Sequence, residues 1–375
     1  MIMKASLYIH IPFCRSKCRY CDFESYAGRE ERAHEYVSRV IEEAVRCREE
    51  YGAFGVPSVY IGGGTPSCIC AEETKRLLRS LSDLFSFDKD CEITTEANPG
   101  TVDYEKLLAY RKAGINRISF GAQAAQVEIL KSLGRIHTWK EAGDAVKMSR
   151  DAGIDNVNID LMYALPGQSE EDFVSSVEKA VRLGVTHLSL YSLILEEGTP
   201  LYESAARGDV LIPGDDESVN MQEKALEFLS GTSFKRYEIS NYAICGYECR
   251  HNIVYWTRDN YLGLGCGAHS LMNDVRFFNP RFEEYMCGSI HPGREEIGRE
   301  DRMEESIMLE TRMTRGLDLL KFEKSFGREA RNKVVKSAKP LIDGGLANLS
   351  EDRLFFTKRG LDIQNALVVR LLESI

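Results

Sequence analysis

The sequence predicts an α/β fold, a parallel sheet of six strand–helix units that closes into a barrel or an incomplete barrel, followed by a smaller C-terminal unit. Three observations lead there. Strand-like and helix-like segments alternate through the first half of the chain. Each strand-like segment runs straight into a polar or glycine-rich stretch. Beyond residue 200 the alternation gives way to shorter, irregular segments.

The units follow in order. Ser6–His10 precedes the helix-like Glu30–Tyr51, and Ser58–Ile61 (SVYI) precedes Glu72–Leu84. Glu92–Thr95 (EITT) precedes Tyr104–Lys112. Arg117–Phe120 (RISF) precedes Gln126–Leu133 and Glu141–Arg150. Val157–Leu161 (VNIDL) precedes Glu170–Arg182, and His187–Leu190 (HLSL) completes the six. Periodicity alone does not separate a barrel from a doubly wound open sheet, but six successive units favour the barrel. The strand ends carry, in order, a cysteine loop, GGGTP (Gly62–Pro66), EANPG (Glu96–Gly100), GAQ (Gly121–Gln123), YALPGQ (Tyr163–Gln168) and YSLILEEGTPLY from Tyr191. Functional residues of a βα barrel gather at the C-terminal ends of its strands, so six such loops in one register read as a single site.

Later segments are less regular. Asp216–Leu229 reads as a helix and Lys235–Ile239 (KRYEI) as a strand, then SNYA, CRHNIVYW and GLGCGAHS follow in quick succession. A helix-like stretch at Glu300–Thr311 opens the last unit. Phe322–Phe326, Ala330–Asp343, Leu354–Thr357 and Gly360–Glu373 then fit a small winged-helix-like module. The expected division is a core at residues 1–235, an extension at 236–290 and a C-terminal domain at 291–375.

Composition narrows the function. The chain has 375 residues, 43% hydrophobic and 28% charged, in the range of globular proteins. No apolar run approaches the ~18 residues of a membrane span. The N-terminal MIMKASLYIH lacks the apolar core of a signal peptide. Eleven cysteines then imply a reducing compartment, and a cytoplasmic location is expected. The formal charge of −10 argues against nucleic acid as a partner, because phosphate binding needs a basic surface. The basic stretch Arg328–Lys339 reads as a solvated helix face. An acidic surface suits a protein partner such as an electron donor. Peripheral membrane contact and a homodimer stay open.

Cys14, Cys18 and Cys21 have the spacing C-x3-C-x2-C. Three thiolates on one loop can hold three irons of a cubane cluster and leave the fourth open. Zinc is the other candidate, but structural zinc sites draw ligand pairs from two loops, and no second short C-x2-C pair exists. Cys68/Cys70 and Cys245/Cys249 lack the aromatic and Asp framing of the first loop. Gly62, Gly63 and Gly64 clear side chains from a place where backbone approaches a ligand. Glu96, Gln123, Arg135 and Asp160 put polar groups at or near later strand ends.

The stretch LYIHIPFCRSKCRYCDF, Leu7–Phe23, resembles the cluster-binding loop of the radical S-adenosylmethionine (SAM) superfamily. In that superfamily the amino and carboxylate groups of SAM occupy the open iron. The resemblance implies a partial (β/α)6 TIM-like barrel holding a [4Fe-4S] cluster on Cys14, Cys18 and Cys21. GGGTP resembles the SAM-binding segment, which assigns Gly63, Gly64 and Thr65 to SAM. YIHIPFC, GGGTPS, EANPGT, RISFGAQ, LPGQ and RYEISNYA resemble the oxygen-independent coproporphyrinogen III oxidase family over nearly the whole chain. That resemblance implies further SAM contacts from Tyr8, Tyr20, Glu96, Gln123, Arg135 and Asp160.

Two features divide the branches of that family. Its decarboxylating enzymes carry a fourth cysteine two residues after the third, where this chain has Phe23, and an N-terminal extension, where Tyr8 here lies near the start. Conversely, His251–Trp256 (HNIVYW) matches the HNxxYW pattern of the haem-chaperone branch. The expected function is therefore to bind a [4Fe-4S] cluster, SAM and haem, and to deliver haem to apo-haemoproteins. His251 is the candidate haem contact, since neutral imidazole is a common axial ligand; Cys249 could also approach an iron, and His269 in GAHS stays open, with a contact to SAM as its alternative. Alternatively His251 is a packed, hydrogen-bonded residue and Trp256 is core. The competing activity is oxidative decarboxylation of coproporphyrinogen III to protoporphyrinogen IX, and a third is radical chemistry on another substrate. A flavodoxin or ferredoxin would be the electron donor.

Overall fold

The computed structural model describes residues 3–291 and 293–373. Six strands lie side by side in sequence order: β1 (Ser6–Ile11), β2 (Gly55–Gly63), β3 (Ser86–Ala97), β4 (Arg117–Gln123), β5 (Asn156–Tyr163) and β6 (His187–Ser192). Every neighbouring pair among them is parallel. Parallel neighbours need crossovers, and helices supply them. These are α1 (Ala33–Tyr51), α2 (Ala71–Leu84), α3 (Tyr104–Lys112), α4 (Val127–Ser132), α5 (Trp139–Asp151) and α6 (Glu170–Arg182).

Alternation along the strands sorts the side chains. Leu7, Ile9 and Ile11 of β1 join Tyr36, Val37 and Val40 of α1 in the main apolar core. The intervening Ser6, Tyr8 and His10 point to the other face of the sheet, where they meet Ser58 and one another. Helix starts are fixed locally. Thr138 with Glu141, and Ser169 with Asp172, form capping boxes at α5 and α6. The loops between strand ends and these caps thus stay at one rim.

The sheet grows at both edges. After α7 (Pro200–Ala206) and α8 (Asp215–Ser230), β7 (Phe234–Arg236) and β8 (Asn241–Ile244) add antiparallel strands beyond β6. Helix α9 (Arg250–Trp256) follows. Then β9 (Tyr261–Leu264) pairs parallel with β1, and β10 (His269–Met272), β11 (Val275–Phe278) and β12 (Gly293–Glu296) continue antiparallel, with α10 (Phe282–Met286) between the last two. The order is β12-β11-β10-β9-β1-β2-β3-β4-β5-β6-β8-β7, with two free edges, so the barrel is incomplete.

The sheet nevertheless curls. Tyr237, next to the β7 edge, donates its hydroxyl to His187 Nε2 at 2.8 Å and accepts the Cys249 amide at 3.3 Å, while Glu92 of central β3 accepts the Arg250 and His251 amides at 3.2 Å. Glu92 thereby binds the exposed amides at the start of α9, where a carboxylate is favoured. Helix α9 sits against β2 near Ser58, inside the curl.

The C-terminal unit has its own core, built around Ile307, Phe322, Val334, Leu341 and Leu371. It comprises α11 (Arg299–Glu310), the strands β13 (Leu317–Asp318), β14 (Ala347–Leu349) and β15 (Arg353–Phe356) in one antiparallel sheet, and three further helices. These are α12 (Leu319–Asp343), broken at Gly327 where φ is 86°, then α13 (Lys358–Asp362) and α14 (Gln364–Leu372). Arg312 lies 4.5 Å from the centre of the Trp256 ring, and Arg258 binds Glu305 at 2.7 Å, so α9 and its loop tie this unit to the sheet. No described helix is long and apolar enough to cross a membrane.

Two local expectations change. The strand expected at Lys235–Ile239 is shorter, since the chain leaves the ladder after Arg236 and Glu238 forms only a lone bridge with Met313. HNIVYW, expected in an irregular region, is a helix because Glu92 holds its first amides.

Candidate functional site

A cavity of about 330 Å³ lies at the C-terminal ends of β2 to β6, under the cysteine loop. Cys14, Cys18 and Cys21 all line it. The loop is pinned from three sides. The Arg19 amide donates to the Leu133 carbonyl at 3.0 Å, the Lys17 ammonium donates to the Phe23 carbonyl at 3.1 Å, and the Arg135 guanidinium donates to Cys18 Sγ at 3.3 Å. Burial pushes the Cys14 and Cys21 thiols up.

The glycine loop packs directly against this one. The Gly64 amide donates to the Ile11 carbonyl at 2.9 Å and the Thr65 amide to the Phe13 carbonyl at 2.7 Å. A Cβ on Gly64 would stand 2.7 Å from that Phe13 oxygen and 3.0 Å from Cys14 Sγ. Gly63 has φ of 110°, and a Cβ there would strike the His10 ring at 2.6 Å. Both positions therefore require glycine.

The carboxylates come from β3 and β5. Glu96 accepts from the Tyr60 hydroxyl at 2.8 Å and from the Gly63 amide at 3.2 Å. Burial pushes its carboxyl up to about 7. Asp160 accepts from Ser119 at 2.9 Å and from Asn158 at 2.7 Å, and burial raises it too. Gln123 sits where the β4–β5 register slips, with φ of 64°. The bulge turns its side chain to the cavity, and the Tyr191 hydroxyl donates to its Oε1 at 2.9 Å.

Of the residues expected from the sequence, Cys14, Cys18, Cys21, Tyr20, Gly63, Gly64, Thr65, Glu96, Gln123, Arg135 and Asp160 line this one cavity. Tyr8 stands beside it, donating to His10 Nδ1 at 3.1 Å, while His10 Nε2 donates to the Glu24 carbonyl at 2.7 Å. His251 lies apart, inside the curl of the sheet and 1% exposed. Its ring nitrogens meet Ser58 Oγ at 3.0 Å and the Tyr255 hydroxyl at 2.9 Å, and burial lowers its pKa to about 3. Ser119 and Tyr191 also reach the cavity and were not singled out. Tyr191 opens the YSLILEEGTPLY stretch at a strand end, which was its available signal.

The donor set suits an iron–sulfur cluster with three protein ligands. Three thiols share the wall, and the Gly64 cradle would be filled by any larger residue. Glu96, Asp160 and Gln123 offer acceptors for a cationic, hydroxyl-bearing ligand next to them.

Fold and site together define a radical SAM protein. Residues 8–180 match the model of the radical SAM superfamily, and residues 297–363 match the HemN C-terminal domain. The chain is similar to the haem chaperone HemW of Bacillus subtilis, 32% identical over 95% of this chain and 96% of that one. It is also similar to HemW of Escherichia coli, 42% identical over 70% of this chain and 69% of that one. Among solved structures it resembles coproporphyrinogen III oxidase (HemN) from Escherichia coli, with a TM-score of 0.84 at 22% identity, covering 100% of this chain and 91% of that one. The chain belongs to the HemN family of radical SAM proteins, in its HemW branch. The family implies a [4Fe-4S] cluster and SAM.

Proposed function

We propose that this protein is a haem chaperone that carries a [4Fe-4S] cluster on Cys14, Cys18 and Cys21, binds SAM, and delivers haem to apo-haemoproteins. The observation that carries the reading is similarity along almost the full chain to proteins named haem chaperones, 32% identical over 95% of it in one case and 34% over 98% in another. Phe23 at the place of the decarboxylating branch's fourth cysteine supports it further. When bound, the cluster supplies an open iron to the SAM amino and carboxylate groups. The chain's own part is to hold the three thiols against the Gly63–Gly64 backbone. Glu96, Gln123 and Asp160 accept hydrogen bonds from SAM, and Arg135 steadies Cys18. All eleven cysteines are free thiols, which supports a reducing, cytoplasmic setting.

The test is an anaerobic titration of cluster-loaded protein with haem, next to a product assay with reductant, SAM and coproporphyrinogen III. Stoichiometric haem binding without vinyl product is expected. Sustained protoporphyrinogen formation without haem binding would overturn the reading in favour of decarboxylation.

A further inference from the structure

A second cavity, of about 370 Å³, adjoins the first and shares Phe23, Gly63 and Glu96 with it. Its walls are unusually aromatic, with Tyr8, Phe23, Tyr255 and Tyr261. Phe23 is 62% exposed, a large apolar surface left at the junction of two cavities. His269, at the start of β10, lines the second cavity and is exposed. Its ring lies 5.4 Å from that of Phe278, nearly parallel to it, which holds the imidazole in place.

The chain has seven histidines, and their surroundings separate them. His10, His187 and His251 are buried, with both ring nitrogens hydrogen-bonded. His137 is buried and bonded to the Ala122 carbonyl. His34 pairs with Glu73 at 2.8 Å on the outer surface of α1, and His291 is enclosed beside Glu43. Among the described residues, only His269 combines exposure, an unpartnered ring and a place on a cavity wall. Burial and the nearby Arg276 lower its pKa, which favours the neutral imidazole that a metal binds.

Building on the haem-chaperone reading, we propose that His269 is an axial ligand of the haem iron, with the porphyrin seated against the aromatic wall of this second cavity. Flat aromatic rings suit a porphyrin face. The site lies beside the SAM cavity and opens to solvent at His269, as cargo awaiting transfer requires. Arg281 lies outside that wall, its side chain 88% exposed and 3.9 Å from the wall residue Glu24, and offers a guanidinium for a haem propionate. HNIVYW enters this site through Tyr255, which lines the cavity, while His251 supports Tyr255 from below.

The experiment titrates haem into cluster-loaded, full-length protein as wild type, His269→Ala, His269→Met and His251→Ala, read by Soret difference spectra. We expect wild type to bind one haem. His269→Ala should raise the Kd at least about tenfold, a step of ~1.4 kcal/mol, and lose the wild-type spectrum. Added imidazole should restore that spectrum, and His269→Met should bind with an altered one. Unchanged affinity and spectrum in both His269 variants would overturn the assignment. Loss in His251→Ala with retention in His269→Ala would move the ligand to His251 and overturn it too. Absence of haem binding by wild type would instead defeat the underlying chaperone reading.

Discussion

The raised Glu96 carboxyl makes SAM binding depend on pH in a way that one substitution can isolate. Buried beside the Gly63 amide and the Tyr60 hydroxyl, Glu96 titrates at about 7 in the ligand-free site. SAM brings a sulfonium cation together with amino and hydroxyl donors, all of which favour the ionised carboxylate. Binding below pH 7 must therefore expel a proton. With a free-site value of about 7, roughly nine in ten sites are protonated at pH 6 and one in ten at pH 8, so this proton weakens affinity about tenfold from pH 8 to pH 6. The amino group of SAM titrates as well, and Glu96→Gln leaves that contribution in place while removing the carboxyl. The ratio of variant to wild-type Kd should then fall about tenfold from pH 8 to pH 6. Equilibrium dialysis of labelled SAM against cluster-loaded protein measures both. A ratio that stays constant across that range would refute the reasoning.

Three other outcomes follow from the geometry. Gly64→Ala should fold but incorporate less iron, because its Cβ needs the space between the Phe13 carbonyl and Cys14 Sγ; circular dichroism and iron content read this together. Serine at Cys14, Cys18 or Cys21 should abolish the cluster absorbance, whereas serine at Cys68, which also faces the cavity, should leave it; equal losses at all four would dismiss the three-ligand assignment. His251→Ala should cost about 2–4 kcal/mol in urea unfolding, from a cavity and from lost partners for Ser58 and Tyr255. A change below about 0.5 kcal/mol would contradict its structural role.

The cavity was legible in the sequence because its residues sit on short motifs at strand ends. Strand register alone carries Gly63, Glu96 and Asp160 to the same rim. The six parallel strands were legible for the same reason, although each runs further than its expected range: glycines and polar residues at the rim still pair, and β2 and β3 also pair at their N-terminal ends, Gly55 with Ser86 and Val56 with Phe87. The position of His251 was not legible. Its neighbours Ser58 and Glu92 are about 190 and 160 residues away in sequence, and only the curl of the sheet brings them to α9. The antiparallel strands β10, β11 and β12 were missed as well. Each has four residues; Gly265 and Gly267 interrupt the pattern just before β10, and Asn273 and Asp274 between β10 and β11. His269 gains its significance from those strands, because GAHS leaves its role open and only the strands set it on a cavity wall.

Delivery of haem is the central claim and can be measured directly. Cluster-loaded protein carrying one haem would be mixed anaerobically with an apo-haemoprotein, and the Soret spectrum of the acceptor followed after separation of the two. Transfer faster than from haem bound to albumin, and dependent on an intact Cys14–Cys18–Cys21 loop, is the predicted result. Haem that stays on the donor, or that leaves no faster than from albumin, would contradict the account.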